Sequence, residues 1–264
     1  MSPAAVEQIL AGFRVRRYGQ GRHVALLVHG AMLSAASWEP FQKALGLHAP
    51  SWTSVAVDLP GFGLAPDEPW DDYGEMAERL VTLLSQLRTA SGKLVVVGHS
   101  MGGGIALTML RDRGEVLNGM VVMDSGLGQS QGEVSIGSIV GDLSAPPAGQ
   151  IVRTIVESWF SEPQHIDLEP LIRDAGRVNA ETFAGMLAAI RKHDLSGEVS
   201  RFPAIPLLLL RGSRDRTRTA LEMQALSKLP GRSDYVEISG SGHCPHIEDA
   251  TVTALVVASW LARL

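Results

Sequence analysis

The stretch LVVVGHSMGGG (residues 94–104) is an apolar run that leads directly into a serine with glycines on both sides. A run without polar alternation is typical of a parallel strand that is covered on both faces. Gly98 and Gly102 leave room for a sharp turn with a strained backbone at Ser100. The G-x-S-x-G pattern between a strand and a helix predicts that this turn exposes Ser100 as a nucleophile. The alternative is a tight connection in which the serine is merely small.

Similar apolar runs recur along the chain, and helical patterns separate several of them. We predict further strands in VALLVHG, TSVAVDLPG, GMVVMDSG, IPLLLLRGS and DYVEISGSGH. Strands that alternate with helices predict an α/β fold with a mostly parallel central sheet flanked by helices. FRVRRY (residues 13–18) alternates in polarity, which indicates an exposed antiparallel edge strand.

Two helical patterns predict which side of the helix is buried. In YGEMAERLVTLLSQL (residues 73–87), several apolar residues fall on one face at helical spacing. These residues are Met76, Leu80, Leu83, Leu84 and Leu87. Near the end of the chain, a second apolar face consists of Val252, Leu255, Val256 and Trp260. We expect both faces to pack on the rest of the protein.

The alternation of strands and helices stops between residues 126 and 199. The interruption opens with SGLGQSQGEVSIGS and contains SAPPAG, which indicate loops. Helical stretches follow in GQIVRTIVESWF, DLEPLIRDAG and AETFAGMLAAIRKH. This segment is too long for a simple crossover connection. We therefore predict a core of residues 1–125 and 200–264, with residues 126–199 forming a helical cap or lid, or an independent subdomain.

The composition is that of a soluble globular protein. The 264 residues are 45% hydrophobic and carry a net charge of −5, so neither nucleic acid nor an anionic membrane is an expected partner. No stretch approaches the ~20 apolar residues of a membrane span, and the first residues lack the apolar core of a signal peptide. The single cysteine, Cys244, excludes an internal disulfide. We expect a cytoplasmic protein.

Activation of the serine requires a base, because a hydroxyl is otherwise a poor nucleophile. ISGSGHCPHIED offers two histidines. His243 follows a strand and a Gly-Ser-Gly loop, which places it at the edge of the sheet where Ser100 also lies, so we predict His243 as the base. His246 is expected at the start of the last helix. A metal site formed by both histidines with Glu248 and Asp249 is a weaker alternative, because no matching cluster occurs elsewhere in the sequence.

The base in turn needs a carboxylate that orients it and stabilises the imidazolium. Asp215 follows LLLLRGS and Asp124 follows MVVM, and both fit the chain order serine, acid, histidine. We favour Asp215 because acid and base then lie at the ends of adjacent strands. Arginines at positions 211, 214, 216 and 218 leave an ordinary surface ion pair as the alternative role of Asp215.

A tetrahedral intermediate needs N–H donors for its oxyanion. One donor is the backbone N–H of Met101, which follows the nucleophile, and the other should come from the loop after an earlier strand. In LLVHGAML, Gly30 lets the backbone turn so that the N–H of Ala31 faces the site. His99 is expected to shape the turn at the serine with its ring pointing away from the chemistry.

Several of these stretches, in their order along the chain, resemble the α/β-hydrolase superfamily. They are HGAMLSAASWEPF, DLPGFGLAP, VVVGHSMGGGIAL and GSGHCPHIEDA, with LLLLRGSRD in the place expected for the acid. The resemblance spans residues 24–250 and implies the roles given above for Ser100, Asp215, His243 and the two N–H donors. It also implies a helical cap after the sixth strand of the family's sheet. Because RDRTRTA lacks a proline common after the acid, and some members place the acid after the sixth strand, Asp124 remains the alternative to Asp215.

These residues together predict a lidded serine hydrolase that cleaves a carboxylic ester, thioester or lactone through an acyl-enzyme, without a metal or other cofactor. An acyltransferase and a carbon–carbon bond hydrolase would use the same residues. From another class, a ligand receptor would keep the pocket without turnover. The expected partner is a small-molecule substrate, and no oligomeric state is predicted.

Large apolar residues of the helical segment are candidates for the substrate pocket. They are Trp159, Phe160, Phe183, Met186 and Leu187. The alternative, more common for such residues, is that they form the core of the cap itself.

Overall fold

The computed structural model describes residues 5–140 and 146–264, whose strands form one eight-stranded sheet. In chain order the strands are β1 (Val6–Leu10), β2 (Phe13–Tyr18), β3 (His23–Val28), β4 (Trp52–Val57), β5 (Leu94–His99), β6 (Gly119–Met123), β7 (Leu207–Gly212) and β8 (Ser233–Ile238). Their order across the sheet is β1-β2-β4-β3-β5-β6-β7-β8. From β4 to β8 all neighbours are parallel, so the predicted α/β class and its mostly parallel sheet are confirmed.

The antiparallel edge differs from the prediction by one strand. β2 is antiparallel to β4 as expected, but β1 pairs along its other side, so FRVRRY is not the edge. A tight turn at Ala11 and Gly12, both with positive φ, folds the chain back and opposes Leu10 to Phe13. The short β1 was missed because its side chains are mostly exposed and VEQIL lacks a clean alternation.

The described helices lie on both faces of the sheet and above its carboxyl edge. Their bounds are α1 (Glu39–His48), α2 (Tyr73–Leu87), α3 (Met101–Arg113), α4 (Ile136–Val140), α5 (Gln150–Glu157), α6 (Glu169–Ala175), α7 (Ala180–Lys192), α8 (Ala220–Ala225), α9 (Pro245–Glu248) and α10 (Ala250–Leu261). α2 packs on α3 and α1 packs on α10, and the two pairs contribute to separate buried apolar clusters. None of these helices is both long and apolar enough to cross a bilayer.

The buried face predicted for α2 is confirmed. Its five predicted apolar residues are buried. The carboxylate of Asp72 caps the helix, accepting hydrogen bonds from the N–H groups of Gly74 at 2.8 Å and Glu75 at 3.0 Å. Such a cap is worth about 1 kcal/mol. The Asp72 cap therefore defines where α2 begins, and the row of apolar residues defines which side of the helix is buried.

The buried face predicted for α10 is wrong at two of its four residues, whereas Val256 is partly buried and packs against the core. Val252 and Leu255 are 51% and 49% exposed, although Trp260 is buried as expected. The helix instead buries the face that contains Ala254 and Val257. Nearly every position of ATVTALVVASWL is apolar or small, so the spacing of apolar residues does not select one face. Packing against α1 makes that choice.

The segment between β6 and β7 is mostly helical, as expected. α5, α6 and α7 occupy the predicted stretches, and α4 is a short helix in a region expected to be loop. Part of the SAPPAG loop prediction falls on residues 141–145, outside the described residues. Apolar residues of α5 and α7 belong to the same buried cluster as β3 and β5, so the helices pack continuously onto the core.

Candidate active site

Ser100 lies at the sharp turn between β5 and α3. Its φ of 50° and ψ of −117° are in a region that non-glycine residues rarely occupy. The Ser100 N–H donates to the Met123 carbonyl at 2.9 Å, and the Ser125 hydroxyl donates to the Ser100 carbonyl at 2.7 Å. A Cβ at residue 102 would lie 2.3 Å from the Val28 carbonyl oxygen, so glycine is required there. These contacts hold the serine side chain at the carboxyl edge of the sheet.

His243 comes from the loop after β8 and connects Ser100 to an acid. Its Nε2 lies 2.9 Å from Ser100 Oγ, and its Nδ1 lies 2.9 Å from Asp215 Oδ2. The His243 backbone N–H donates to the Trp159 carbonyl at 2.7 Å. When Nδ1 carries the proton, Nε2 is free to accept the serine hydroxyl proton.

Asp215 follows β7, and its side chain is fully buried. Oδ1 accepts a hydrogen bond from the Thr217 N–H at 2.7 Å, while Oδ2 faces His243. Burial alone would raise the pKa of Asp215, but the charge of His243 and these hydrogen bonds lower it below its ordinary value. The carboxylate therefore stays charged beside the imidazole.

The arginines around Asp215 do not pair with its carboxylate in the described part of the chain. Arg211 donates to the Asp215 backbone carbonyl at 2.8 Å, and Arg218 pairs with Glu222 at 2.8 Å. Arg214 lies 3.5 Å from Glu162. The geometry therefore favours orientation of His243 over a surface ion pair as the role of Asp215.

Asp124, the alternative acid, lies next to this group but does not hydrogen-bond His243. It follows β6 with a φ of 45°, and its side chain is completely buried. Its Oδ1 accepts from the Gly212 N–H at 2.9 Å. Burial, and then the charge of Asp215, raise the pKa of Asp124 well above its ordinary value. The structure thus brings Asp215, and not Asp124, into contact with the imidazole.

The two expected oxyanion donors lie beside Ser100. Met101 is the first residue of α3, and Ala31 lies in the turn after β3. Both line the cavity that opens onto the serine. A Cβ at residue 30 would lie 3.2 Å from Ser100 Cβ, so this turn passes very close to the serine.

A cavity of about 300 Å³ lies against Ser100 and His243. Its apolar lining residues include Leu33, Tyr73, Met101, Trp159, Leu187 and Ile190. Its polar lining residues include Gln129, Ser130, His193, Thr217 and Arg218. The cavity is therefore amphipathic, with most of its polar groups supplied by the segment after β6 and the turn after β7.

Three of the five expected pocket residues lie elsewhere, and one of them is Phe160, which is buried in the apolar cluster and does not line the cavity. Trp159 lines the cavity, but Phe183 and Met186 do not and are 1% and 0% exposed. α7 turns these two side chains into the apolar cluster that joins it to the core, and presents Leu187 and Ile190 to the cavity. The sequence does not distinguish these faces because α7 carries apolar residues on more than one side.

The ring of His99 was expected to point away from the chemistry, but it contacts the loop between β8 and α9 (residues 239–244), here called the histidine loop. Its Nε2 lies 2.7 Å from the His243 carbonyl oxygen, and the two rings are 5.0 Å apart. Burial keeps the pKa of His99 well below its ordinary value, so the neutral ring donates its Nε2–H to that carbonyl. No periodicity in the sequence points to this contact, since it joins residues that are 144 positions apart.

The metal alternative is not supported by the geometry. His246 is in the short α9. The centroid of its ring lies 4.2 Å from that of Trp38 and 4.5 Å from that of His99. Burial lowers the pKa of His246 to about 3. Glu248 is hydrogen-bonded to backbone groups. The predicted ligands therefore do not converge on one point.

Glu248, named from the sequence only as a possible metal ligand, makes contacts that the sequence did not reveal. Its Oε1 accepts from the Ser161 N–H at 2.9 Å and the Glu162 N–H at 3.1 Å. Its Oε2 accepts from the Gly242 N–H at 2.6 Å. One carboxylate thus joins the segment after α5 to the residue that precedes His243.

Comparisons with known proteins agree with this architecture. Residues 25–255 match the model of the alpha/beta hydrolase family, so the chain belongs to that family and the resemblance is confirmed. A pimeloyl-[acyl-carrier protein] methyl ester esterase of Aeromonas salmonicida is 25% identical over 88% of this chain and 92% of that protein. A 2-(acetamidomethylene)succinate hydrolase of Mesorhizobium japonicum is 25% identical over 94% of this chain and 90% of that protein.

Solved structures share the fold over the whole chain. A thermophilic esterase from Thermogutta terrifontis superposes with a TM-score of 0.79 at 21% identity, covering 99% of both chains. The enol-lactonase of Burkholderia xenovorans also superposes with a TM-score of 0.79, at 17% identity, covering 97% of this chain and 100% of the other. At these identities the likeness concerns the fold alone.

Proposed function

We propose that the protein is a serine hydrolase that cleaves a carboxylic ester, thioester or lactone through an acyl-enzyme. The observation that carries this proposal is the continuous hydrogen-bonded chain from Ser100 through His243 to Asp215, with both contacts at 2.9 Å. Such an arrangement makes a hydroxyl nucleophilic at neutral pH. Its placement against a cavity gives a carbonyl substrate access to the serine.

In the proposed mechanism, Ser100 Oγ attacks the substrate carbonyl while His243 Nε2 accepts the hydroxyl proton. Asp215 stabilises the imidazolium that forms, and the N–H groups of Ala31 and Met101 stabilise the oxyanion. His243 then returns the proton to the leaving oxygen or sulfur, which departs and leaves the acyl-enzyme. Water, deprotonated by the same imidazole, attacks this ester, and His243 returns that proton to Ser100 Oγ as the bond breaks and the acid is released.

The segment of residues 126–199 is proposed to be the cap over this site. It contributes Trp159, Leu187 and Ile190 to the cavity wall, and it contacts the histidine loop through the Trp159 carbonyl. A cavity of about 300 Å³ is within the size range of small-molecule sites. The names of the A. salmonicida and M. japonicum relatives describe an ester hydrolase and a hydrolase, which supports hydrolysis as the reaction type.

Ser100→Ala tests the proposal with p-nitrophenyl acetate, butyrate and octanoate as substrates. We expect turnover of at least one ester, loss of that turnover by several orders of magnitude in Ser100→Ala, and covalent labelling of the wild type by a fluorophosphonate. The exposed Ser85 provides a matched control, and Ser85→Ala should keep full activity.

Two other outcomes would redirect the assignment. Transfer of the acyl group to an added alcohol or thiol in preference to water would indicate an acyltransferase, whereas turnover confined to carbon–carbon bond substrates would indicate that class of hydrolase. Tight ligand binding with neither turnover nor labelling would indicate a receptor and contradict the proposal.

A further inference from the structure

A second carboxyl group lies beside Asp215 and takes no part in the chain of contacts from Ser100 to Asp215. Asp124 is completely buried, and its Oδ1 accepts from the Gly212 N–H at 2.9 Å. Its Oδ2 is also buried, without a hydrogen-bond partner among the described residues. Leaving a buried polar atom unpaired costs about 1–3 kcal/mol. A role for Oδ2 would explain why this position holds a carboxyl group.

The two aspartates are too close to be ionised together. One carboxylate oxygen of Asp124, one of Asp215 and one ring nitrogen of His243 lie within 4.8 Å of one another. Two negative charges at such a distance, shielded from water, repel strongly, so one carboxyl group of such a pair retains its proton. The cluster therefore holds one carboxylate and one carboxylic acid.

The hydrogen bonds identify which group is which. Both oxygens of Asp215 face N–H donors, namely Thr217 N–H and His243 Nδ1–H, and these favour its charged form. Asp124 has one N–H donor and one unpartnered oxygen. Burial and the charge of Asp215 raise the pKa of Asp124, while the pKa of Asp215 is lowered despite its burial. The proton therefore belongs on Asp124 Oδ2.

We propose that Asp124 is a neutral carboxylic acid whose Oδ2–H donates a hydrogen bond to the Asp215 carboxylate and so positions that carboxylate for His243. Asp124 is then a positioning residue that satisfies its own buried oxygen and holds the acid in place. The positioning role rests on the proposed function. The proton on Asp124 does not, because it follows from the arrangement of the resting protein.

The site surrounds Asp124 with few other charges. Arg211 on β7 lies near it but donates to the Asp215 and Arg218 carbonyls. Tyr235 on β8 donates to Glu237, and Cys244 in the histidine loop has its pKa raised by burial. Together with Asp215 and His243, these are the groups that a change at position 124 would influence.

Infrared spectroscopy of the protein without substrate tests the proton directly. At mildly alkaline pH we expect the carbonyl stretch of a protonated carboxylic acid in the wild type, and its loss in Asp124→Asn. Asp58, a second buried acid whose pKa is raised by burial, supplies the control variant Asp58→Asn. An unchanged acid band in Asp124→Asn would overturn the proposal, whether or not the protein hydrolyses esters.

Kinetics with p-nitrophenyl butyrate test the positioning role. In Asp124→Ala, Asp215 loses a donor and becomes more basic, so it stabilises the His243 imidazolium more strongly. The acid limb of the kcat/KM profile should move to higher pH, and kcat/KM at its plateau should fall about tenfold.

Rescue by a conservative variant separates positioning from folding. The amide of Asp124→Asn can donate to the same Asp215 oxygen and accept from the Gly212 N–H. This variant should therefore recover most of the wild-type kcat/KM and most of the wild-type position of the acid limb. An Asn variant as impaired as the Ala variant, or an acid limb that does not move, would overturn the positioning role. If no ester is turned over by any form, the infrared result still decides the proton on Asp124.

Discussion

Ser100 is held in a backbone conformation that costs a residue with a side chain about 1–3 kcal/mol. The surrounding structure determines it, because α3 begins one residue later, Gly102 packs directly against the end of β3, and Gly103 lies close to Gly98 of β5. A Cβ on residue 102 would lie closer to the Val28 carbonyl oxygen than any real Cβ does, so only glycine fits there. The glycines flanking the serine are therefore required by contact distance, and neither of them has a positive φ.

Gly102→Ala tests this packing. The added Cβ would lie 2.3 Å from a backbone oxygen, so α3 must move away from β3. We expect a loss of about 1–3 kcal/mol in the free energy of unfolding, measured by urea denaturation, with a large fall in activity. Gly197→Ala is the control, since nothing lies within 4 Å of its Cβ position. Equal stability of the two variants would contradict the argument.

Asp215→Asn tests the acid. An amide at this position can no longer stabilise the imidazolium and favours the wrong tautomer of His243, so kcat should fall by about 10³–10⁴. The exposed Asp67 gives the control Asp67→Asn, and circular dichroism should show that both variants fold. Ordinary turnover by Asp215→Asn would mean that another group orients the base.

At the level of elements, α9 connects the proposed cap to the histidine loop. Glu248 accepts hydrogen bonds from Ser161 and Glu162 on one side and from Gly242 on the other, and the hydroxyl of Ser241 adds a further bond at 3.3 Å. Movement of the segment after α5 would therefore be transmitted to His243. The placement of the base depends on the cap as well as on β8.

Glu248→Ala should uncouple these two elements. Without the carboxylate the loop before His243 loses its anchor, so we expect kcat to fall by about tenfold or more, with a smaller change in KM. Glu248→Gln, which keeps one acceptor oxygen, should lie between the Ala variant and the wild type. The exposed Glu181 on α7 gives the control Glu181→Ala. A kcat unchanged in Glu248→Ala would refute the coupling.

Sequence patterns predicted elements where a polar face contrasts with an apolar one. α2 was assigned the correct buried side because charged residues occupy its other side. The same argument failed for α10, which is apolar nearly all round, and for Phe183 and Met186 on α7, which pack inward and do not face the cavity. The spacing of apolar residues identifies a buried face only when the other face is polar, so it gives little information for a helix that is apolar on all sides.

At the scale of the whole molecule, several histidines are buried in neutral form. Burial lowers the pKa of His29 and His193 to about 4 and that of His246 to about 3, and it lowers that of His99 well below its ordinary value. In the unfolded chain these groups take up protons near pH 6.5. Their contribution to stability is therefore complete above that pH and is lost as the pH falls toward their folded pKa values.

His246→Phe isolates one of these contributions. Neither ring nitrogen of His246 has a partner among the described residues, so phenylalanine removes a titrating group without breaking a hydrogen bond. At pH 5 one such histidine costs roughly 2 kcal/mol, so urea denaturation should show a smaller loss of stability between pH 7 and pH 5 in the variant. The raised pKa of Asp124 makes stability change with pH in the opposite direction, but to the same extent in the wild type and the variant. Identical pH dependence would disprove this account.

The sequence by itself determined every strand except β1, the sharp turn at Ser100 and the chain order of serine, acid and histidine, because these features depend on neighbouring residues and on turn geometry. Only the tertiary structure decided that Asp215 and not Asp124 contacts His243, since both follow parallel strands that end at the same edge. It also decided the contacts of His99 and Glu248 with the histidine loop. Contacts between residues far apart in the chain arise from how sheet, cap and loops pack together, and this packing is not a property of any one segment.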